Sequence, residues 1–482
     1  MTAAKCARRS FLKQSAALAA LGVGALGSSV DRLLAEEVRQ VEDKSSDKRP
    51  NIIFFFTDQQ RWDTLGCYGQ RLPISPNLDR MAKEGVLFEN AFTCQPVCGP
   101  ARAVVQTGKY ATEIGCFRNG IALPLDEVTM ADRLSEAGYE VGYIGKWHLA
   151  SDAEHKFATK PIPPERRGGY NDFWLASDVL EFTSHGYDGH LFDAAMNQVD
   201  FKGYRADALT DFALDYLRTR DRKRPFFLFI SYIEPHFQND RMHFEGPLGS
   251  KEKFKDFETP GDLVGTAGDW REEMPDYLGC CNSLDENVGR LRAEIEKLGI
   301  AKNTIIIYSS DHGCHFRTRN KEYKRCPHDS AIRVPLVVCG PGFGGGKVVR
   351  ELVSLVDIAP TTLAAAGVKQ PSGTRGRPLQ DLVSGDAKGW PKEVFIQTSE
   401  SETARAIRTD RWLYGVAAQD PSGREQVAYT EKYLYDLEKD PHERTNLVEN
   451  PGYTGIRSRL AEILKRYITE TGERDPQILP VK

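Results

Sequence analysis

Several clusters of polar residues lie directly after short apolar segments of the chain. These clusters are Asp58-Gln59, Lys146-Trp147-His148, Pro235-His236 and Asp311-His312. The side-chain oxygens of Asp58, Gln59 and Asp311 are hard ligands of the kind that calcium and magnesium prefer. Histidine is the side chain that most often serves as a general acid or base. The clusters together hold residue types that are suited to binding a metal and to acid–base catalysis.

The elements that must position these clusters alternate between strands and helices. Residues 52–57 form a continuous apolar run, as expected for a strand buried on both faces of a parallel sheet. Ser75-Pro76 predicts a helix that is capped by Ser75 and ends at Gly85. The later pattern predicts helices before Gly138, over 206–217 and ending near Leu298, and strands over 139–144, 226–233, 304–308 and 334–338.

This alternation predicts the α/β class, with a large mixed, mostly parallel sheet sandwiched by helices. In open α/β sheets, ligands bind in the crevice beyond the carboxyl ends of the strands. Because each polar cluster follows a predicted strand, segments that are far apart in sequence can meet at one rim of the sheet.

The sequence pattern changes beyond Gly367. A loop rich in Gly and Pro over 371–378 precedes shorter segments over 393–398, 404–416 and 433–437, which predict a small antiparallel sheet. A last helix, with its apolar face formed by Ile456, Leu460, Leu464 and Tyr467, should pack against that sheet. We therefore predict a catalytic domain over 50–370 and a smaller C-terminal α+β subdomain over 371–482.

The composition is that of an ordinary globular protein. The chain has 482 residues, of which 40% are hydrophobic and 27% charged, and its formal net charge is −4. Nucleic acid is not expected as a partner, because its binders concentrate Lys and Arg on one face. The ten cysteines show neither zinc-site spacing nor a small disulfide framework, although one or two disulfides are compatible with an oxidising compartment.

The N-terminus has the pattern of a twin-arginine export signal. Arg8-Arg9 precedes a stretch of small apolar residues over 16–30, which is too short and too rich in Ala and Gly to span a membrane. We expect residues 1–36 to be a signal peptide and 37–49 a linker. The twin-arginine export machinery would deliver the folded protein to the periplasm or beyond, and no membrane span is expected after signal removal.

The most specific motif begins at Cys98. Cys98-Gly99-Pro100-Ala101-Arg102, followed by Thr107-Gly108-Lys109, resembles the signature of type I sulfatases, in the alkaline phosphatase superfamily. The resemblance implies an alkaline phosphatase-like fold and a sulfuric ester hydrolase. It also implies that a formylglycine-generating enzyme oxidises Cys98 to formylglycine (3-oxoalanine), whose hydrate is the nucleophile.

Other segments resemble the family in the same order along nearly the whole mature chain. They are 51–58 with 65–69, 145–148, 234–236, 310–313, Lys324 before 332–335, and the C-terminal segments 435–437, 440–441 and 446–447. The resemblance implies one divalent metal bound by Asp58, Gln59, the modified Cys98, Asp311 and His312. The family commonly has Asp in place of Gln59 and often Asn in place of His312. Ca²⁺ is expected, with Mn²⁺ as a rival because imidazole suits transition metals.

The resemblance also implies a division of labour among the remaining residues. One hydroxyl of the formylglycine hydrate attacks sulfur, while His236 or Lys324 protonates the leaving oxygen. His148 takes a proton from the second hydroxyl, and sulfate leaves as the aldehyde reforms. Lys146 and Lys324 hold sulfate oxygens, and Arg102 fixes the formylglycine.

The substrate is predicted less directly. The T-D-Q-Q-R segment at 57–61 is similar to that of bacterial polysaccharide sulfatases, which implies a sulfated carbohydrate. Substrate contacts are predicted at Arg118, Asn119, His185, His243 and His328. Two alternatives remain open: a phosphonate monoester or phosphodiester hydrolase of the same superfamily, and a glycan-binding protein that keeps the fold without catalysis.

Overall fold

The structure, a computed structural model, describes residues 48–152, 154, 156–421 and 423–481. The predicted signal peptide over 1–36 lies outside the described residues, as does the predicted linker over 37–49 except for its last two residues. The described residues belong to one compact unit, Asp47–Lys482. No helix within the described part of the chain is long and apolar enough to cross a bilayer.

The larger of the two sheets has 11 strands. In chain order they are β1 (Asn51–Thr57), β2 (Val86–Phe92), β3 (Glu140–Lys146), β4 (Phe173–Ser177), β5 (Asp188–Asp193), β6 (Gln198–Lys202), β7 (Phe226–Ser231), β8 (Thr304–Ser310), β9 (Arg333–Val334), β10 (Leu336–Cys339) and β11 (Lys347–Ser354). Their order across the sheet is β11-β2-β10-β8-β1-β7-β3-β4-β5-β6, with β9 paired to β2. Strands β8, β1, β7, β3 and β4 are parallel neighbours, so their carboxyl ends lie at one edge.

Helices cover both faces of this sheet. The α-helices are α1 (Pro76–Glu84), α2 (Cys98–Thr107), α3 (Ala111–Ile114), α4 (Met130–Glu136), α5 (Arg205–Thr219), α6 (Ser250–Lys253), α7 (Trp270–Lys297), α8 (Asp329–Ile332), α9 (Ile358–Ala365), α10 (Gln380–Ser384) and α11 (Thr454–Glu470). Successive side chains of β1 point to opposite faces. Ile52, Phe54 and Phe56 pack in a core cluster with α2 and α4, whereas Ile53 and Phe55 pack with α1, α5 and α7. The mostly parallel sheet between two helical layers is therefore confirmed.

The strand expected over 334–338 differs from the prediction. Pro335 interrupts it, and the two pieces β9 and β10 are both antiparallel to β2. Proline has no N–H to donate to a neighbouring strand, so a continuous ladder cannot pass through it. The sheet is consequently mixed at this side, with β10 running antiparallel to its neighbour β8.

The cap predicted for α1 is also different. Ser75 precedes the helix, but its side chain makes no capping hydrogen bond; its Oγ atom instead accepts from the backbone N–H of Gly66 at 2.7 Å. The first turn of α1 is capped from α7, where the Asp285 carboxylate accepts the backbone N–H groups of Asn77 and Leu78 at 3.1 and 2.7 Å. A helix N-terminus leaves such donors without intrahelical partners.

The smaller sheet follows in the C-terminal part of the chain. It has five strands in sequential order: β12 (Glu393–Glu400), β13 (Glu402–Thr409), β14 (Trp412–Ala417), β15 (Ala428–Asp436) and β16 (Gln477–Leu479). The segment predicted over 404–416 is a hairpin that turns at Asp410-Arg411. Leu460 and Leu464 of α11 are buried in the same core cluster as Ile52, and Ile456 and Tyr467 pack against it. The predicted apolar face is confirmed, and the boundary at residue 370 stays a prediction.

Candidate active site

The parallel strands bring the predicted residues to one edge of the large sheet. Asp58 follows β1, Lys146 ends β3 and Asp311 follows β8. Cys98 is the first residue of α2 and is buried at the same place. One ligand atom from each of Asp58, Cys98, Asp311 and His312 lies within 4.8 Å of the others. The rim predicted from the strand–cluster pattern is thus formed.

This cluster fits a hard divalent cation. The Asp58 and Asp311 carboxylates are fully buried, and Oδ2 of Asp311 has no hydrogen-bond partner among the described residues. Burial and the nearby Asp58 charge raise the pKa of Asp311 to about 7. A cation would offset this repulsion between buried charges. Gln59 lies beside the two carboxylates, where its backbone N–H donates to Oδ1 of Asp311 at 3.0 Å. Gln59 also lines a cavity that is described below.

Arg102 joins the carboxylates to the neighbouring strands. Its guanidinium donates to Oδ2 of Asp58 at 2.9 Å and lies 3.3 Å from Oδ2 of Asp311. On its other side it donates to the carbonyl of Lys146 and the hydroxyl of Ser231, at 2.9 and 2.6 Å. The planar guanidinium therefore fixes the relative positions of β1, β3, β7 and β8 at their carboxyl ends. The predicted role of Arg102 was to fix the modified Cys98. The structure shows that Arg102 also contacts the Asp58 and Asp311 carboxylates.

The thiol of Cys98 lies among positive charges. Its Sγ atom is 2.8 Å from Nζ of Lys324 and 3.3 Å from Nε2 of His312. Burial alone would raise the pKa of the Cys98 thiol, but the ammonium groups of Lys146 and Lys324 outweigh it and hold the pKa well below its ordinary value. The environment thus favours negative charge at position 98.

Lys146 stands on the Asp58 side of the cluster. Its Nζ atom donates to Oδ2 of Asp58 at 2.7 Å, with both side chains buried. Burial would lower the pKa of the Lys146 ammonium, but the Asp58 carboxylate outweighs it and the pKa is raised. The burial of Asp58 is likewise outweighed by Lys146, His236 and Arg102, so its pKa lies below the ordinary value. Both groups therefore stay charged at neutral pH.

His236 is held by the turn that follows β7. The Glu234-Pro235 peptide bond is cis, and the Glu234 carboxylate forms a buried ion pair with Arg205 at 2.8 Å. Nδ1 of His236 lies 2.6 Å from the carbonyl of Phe237, while Nε2 lies 3.1 Å from Nζ of Lys324. Burial and the Lys324 charge lower the pKa of His236. The ring thus presents Nε2 to the reacting centre.

His148 is held by the loop after β3. Its φ is 58°, a conformation that is uncommon for a residue with a side chain. The backbone N–H of His148 donates to the carbonyl of Asp178 at 2.7 Å. The Asp178 carboxylate accepts the next three N–H groups, those of Leu149, Ala150 and Ser151. Nδ1 of His148 is buried without a partner among the described residues, so a ring nitrogen remains free for a ligand or a proton.

A cavity of about 330 Å³, at the lower end of the range for small-ligand sites, is lined by six of the predicted catalytic and metal-binding residues: Gln59, Cys98, Lys146, His148, His236 and Lys324. Of the predicted substrate contacts, Asn119 reaches its wall, where its Oδ1 accepts from the backbone N–H of Gly99 at 3.0 Å. Arg118, His185 and His243 are not among the lining residues. His185 instead pairs with Asp240 at 2.8 Å.

His328 is also absent from the cavity wall. It is buried, and its Nε2 atom lies 3.2 Å from the hydroxyl of Tyr435 on β15. Its ring packs edge-on against Tyr433 and Tyr435. The structure therefore does not bring His328 into contact with the cavity, because the C-terminal sheet covers it.

Sequence reasoning missed several residues of the cavity wall. They are Val179, Glu181, Phe237, Asn239, Arg317, Lys321, Glu322, Tyr323 and Arg325. The stretch 317–325 holds five basic residues in nine and lies between two recognised motifs, so this charge pattern could have identified it. Glu181 and Asn239, in contrast, have no distinctive sequence signal.

Two family models match the chain. The sulfatase model matches residues 50–368, and the model for the C-terminal part of N-sulphoglucosamine sulphohydrolase matches residues 321–470. The first match includes Asp58, Cys98, Asp311 and His312, the candidate metal-binding cluster, and both lysines of the site. The second begins inside the loop that carries Lys324 and covers strands β12 to β15 of the smaller sheet and α11, but not β16.

Individual proteins of known description are similar over most of their length. The chain is 30% identical over 460 residues to an ulvan-active sulfatase of Formosa agariphila, covering 91% of this chain and 84% of that protein. It is 27% identical over 513 residues to the N-acetylglucosamine-6-O-sulfatase of Bacteroides thetaiotaomicron, covering 90% and 88%. The solved structure of BT4656 in complex with its substrate D-glucosamine-2-N,6-O-disulfate superposes with a TM-score of 0.73 at 25% identity, covering 89% and 99%.

Proposed function

The chain belongs to the sulfatase family and is a sulfuric ester hydrolase, and on this basis we propose that it is an exported enzyme that removes sulfate from a sulfated polysaccharide or oligosaccharide. The named relatives support the carbohydrate substrate, because one is an ulvan-active sulfatase and another an N-acetylglucosamine-6-O-sulfatase. The twin-arginine pattern at Arg8-Arg9 supports a periplasmic or secreted location. A polymer outside the cell would require such an exported enzyme.

The observation that carries the proposal is the position of Cys98. Its Sγ atom lies 2.8 Å from Lys324, 3.3 Å from His312 and 3.4 Å from Asp58, on the wall of the cavity. The oxygens of a sulfate ester are negative and repel a nucleophile. Positive groups fixed around the ester offset that repulsion without having to reorganise. Position 98 is thus suited to attack on an anionic ester.

Two groups that the family implies complete the proposed site. Conversion of Cys98 to formylglycine would supply a hydrated aldehyde as the nucleophile. A divalent cation held by Asp58, Gln59, Asp311 and His312 would supply charge stabilisation for the sulfate oxygens. The oxygen ligands favour Ca²⁺, and Mn²⁺ is the rival because His312 contributes a nitrogen.

The other residues have roles that follow from their contacts. Lys146 and Lys324 bring ammonium groups to the two sides of position 98 and bind sulfate oxygens. Nζ of Lys324 and Nε2 of His236 lie 3.1 Å apart, so a proton given to the leaving oxygen by one can be replaced through the other. His148, with its free Nδ1, takes a proton from the group at position 98. Arg102 keeps the carboxylates in place.

Mass spectrometry tests the nucleophile. The protein is produced together with a formylglycine-generating enzyme, and the peptide covering residues 91–109 is analysed. We expect the mass loss of cysteine-to-formylglycine conversion at Cys98, and none in Arg102→Ala or Arg102→Lys. Unmodified cysteine in the wild-type protein under these conditions would contradict the mechanism and favour the glycan-binding alternative.

A panel of esters tests the reaction class within the superfamily. Rates of the matured, metal-loaded protein are compared on an aryl sulfate, a phosphate diester and a phosphonate monoester with the same leaving group. We expect the sulfate ester to have the highest kcat/KM. A strong preference for a phosphorus ester would instead support the phosphonate monoester or phosphodiester hydrolase alternative. Sulfated oligosaccharides are then used to identify the sugar.

A further inference from the structure

We propose that Arg317 and Lys321 bind a second anionic group of the substrate, a carboxylate or a further sulfate, apart from the sulfate that is removed. This inference rests on the proposed function, because it concerns the same cavity. Arg317 and Lys321 line that cavity together with Cys98, Lys146 and Lys324. The proposal therefore assigns a polyanionic glycan as the preferred substrate.

The guanidinium of Arg317 lies over two aromatic rings. Its central carbon is 5.2 Å from the centre of the Phe237 ring and 4.8 Å from the centre of the Tyr323 ring. Phe237 is adjacent in the chain to His236, and Tyr323 is adjacent to Lys324. The two rings also contact each other, with centres 4.5 Å apart. Because cation–π contacts orient the guanidinium plane, Arg317 is fixed relative to the residues that surround the reacting ester.

The hydrogen-bonding capacity of Arg317 is not used within the described structure. Arg317 forms an ion pair with Asp269, whose Oδ2 atom lies 3.5 Å from Nε, but this contact is too long for a well-formed hydrogen bond, and Nε is buried without a hydrogen-bond partner among the described residues. The Asp269 carboxylate is already engaged by the hydroxyl of Tyr323 at 2.5 Å. The side chain of Arg317 is 35% exposed, on the cavity wall. An oriented guanidinium with unused donors is suited to bind a planar carboxylate or a sulfate in a bidentate manner.

The backbone that carries Arg317 has an uncommon conformation. Phe316 and Arg317 have φ values of 49° and 60°, in the left-handed region that residues with side chains rarely adopt. The Phe316 ring is buried against Phe244 and Tyr277, which anchors the turn. Such conformations persist where the surroundings determine them, and they are concentrated at ligand-binding sites. The turn thus directs the Arg317 side chain to the cavity at a cost in backbone strain.

Lys321 supplies a second cation, and unlike Arg317 it has no ion-pair partner in the described part of the chain. Its side chain is exposed, whereas the acidic residues of the same wall have partners. Glu322 pairs with Arg325 at 2.5 Å and accepts from Ser401 at 2.8 Å. Glu181 accepts from the amide of Asn239 at 3.0 Å. The amide of Asn239 does not neutralise Glu181, but the cavity wall has five cationic side chains, those of Lys146, Arg317, Lys321, Lys324 and Arg325, against the two carboxylates of Glu181 and Glu322. Its net charge is therefore positive, which favours an anionic ligand.

The proposal is tested with pairs of synthetic sulfated disaccharides. The first pair differs only in a uronic acid carboxylate or its methyl ester, and the second only in a further sulfate or the free hydroxyl. We expect the wild-type protein to favour the anionic member of one pair by about tenfold in kcat/KM, since one well-placed charged contact contributes that much. The pair that shows the preference identifies the anionic group.

Variants then locate the preference. In Arg317→Gln and in Lys321→Gln the ratio of the two kcat/KM values should fall toward one, and Arg317→Lys should retain part of it because the charge remains. The matched controls Arg222→Gln and Lys202→Gln remove exposed basic residues away from the cavity and should keep the wild-type ratio. No preference in either pair, or a preference that the Arg317 and Lys321 variants keep, would overturn the proposal.

A binding measurement separates this proposal from the proposed function. Titration of the metal-loaded Cys98→Ala protein with each disaccharide gives Kd values that do not depend on turnover. A lower Kd for the anionic member that is lost on Arg317→Gln supports the second site even if hydrolysis of every probe is absent, which would contradict the proposed function alone. Hydrolysis together with equal Kd values for the two members of both pairs would overturn the second site alone.

Discussion

Nζ of Lys324 lies 2.8 Å from Sγ of Cys98. The same ammonium is 3.1 Å from Nε2 of His236 and 3.2 Å from Nε2 of His312. One cation thus contacts the predicted nucleophile position, a predicted acid–base residue and a predicted metal ligand. The loop that carries Lys324 follows β8 and brings it back over the carboxyl end of the sheet.

Replacement of Lys324 tests its place in the reaction. We expect Lys324→Met to lower kcat by about a hundredfold or more, because a positioned proton donor contributes that much. The free energy of unfolding should change little, since the variant removes a buried cation that contacts two histidine rings. Steady-state kinetics with a sulfated substrate measure the effect, and the exposed Lys202→Met is the matched control. Unchanged kcat in Lys324→Met would exclude Lys324 as a proton donor.

Replacement of Arg102 should affect stability as well as maturation. Arg102→Ala removes the cation that contacts the buried Asp58 and Asp311 carboxylates, and the loss of one partner from a buried ion pair costs about 3–5 kcal/mol. Arg102→Lys should cost less, because it keeps the charge but not the bidentate geometry. Urea unfolding of the metal-free proteins measures this cost, with Arg222→Ala as the exposed control. Equal stability of Arg102→Ala and wild type would contradict this account.

The sequence predicted the main elements that carry the site because their patterns are local. The apolar run before Asp58 and the Pro76 and Gly85 boundaries of α1 are each encoded within about ten residues, and the structure agrees with them. The meeting of Asp58 and Asp311 also follows from a general rule for parallel strands. Family motifs added Cys98, which no periodicity could have assigned a chemical role.

The parts that were not predicted depend on long-range contacts or unusual backbone conformations. Asp285 caps α1 from 207 residues away in sequence, and no local pattern indicates such a partner. Glu181 reaches the cavity through a short helical turn after β4, and Arg317 through a turn with positive φ values. Residues other than glycine adopt that conformation only where tertiary contacts hold it.

Removal of the cation should destabilise the folded protein. Without a cation, the Asp58 and Asp311 carboxylates lie buried beside each other. A bound cation stabilises the folded state by mass action, by about 2.7 kcal/mol when it is present at about a hundred times its Kd. We expect a chelator to lower the Tm and Ca²⁺ or Mn²⁺ to restore it. Asp311→Asn should respond less to the chelator, and its metal-free form should be at least as stable as metal-free wild type. The exposed Asp256→Asn should behave as wild type, and a Tm independent of chelator would contradict the metal assignment.

The cap of α1 should make stability depend on pH. Burial raises the pKa of Asp285 from 3.8 to about 6. The backbone hydrogen bonds that the carboxylate accepts lower the pKa, but they do not outweigh burial. Between these two pH values the folded protein holds a proton on Asp285, whereas the unfolded chain has already released it. The contribution of this group to stability is full below pH 3.8 and is lost as the pH rises through about 6.

Asp285→Asn isolates this contribution, because asparagine does not titrate. Between about pH 4.5 and about pH 7.5, the free energy of unfolding of the wild type should fall by about 1–2 kcal/mol more than that of the variant. The variant keeps an oxygen that can accept from Leu78 but loses one acceptor, which adds a cost that is the same at every pH. Urea unfolding at the two pH values measures the difference, with Asp256→Asn as the exposed control. A parallel pH dependence in wild type and Asp285→Asn would mean that Asp285 is ionised in the folded protein throughout this range, and that the cap of α1 is a charged one.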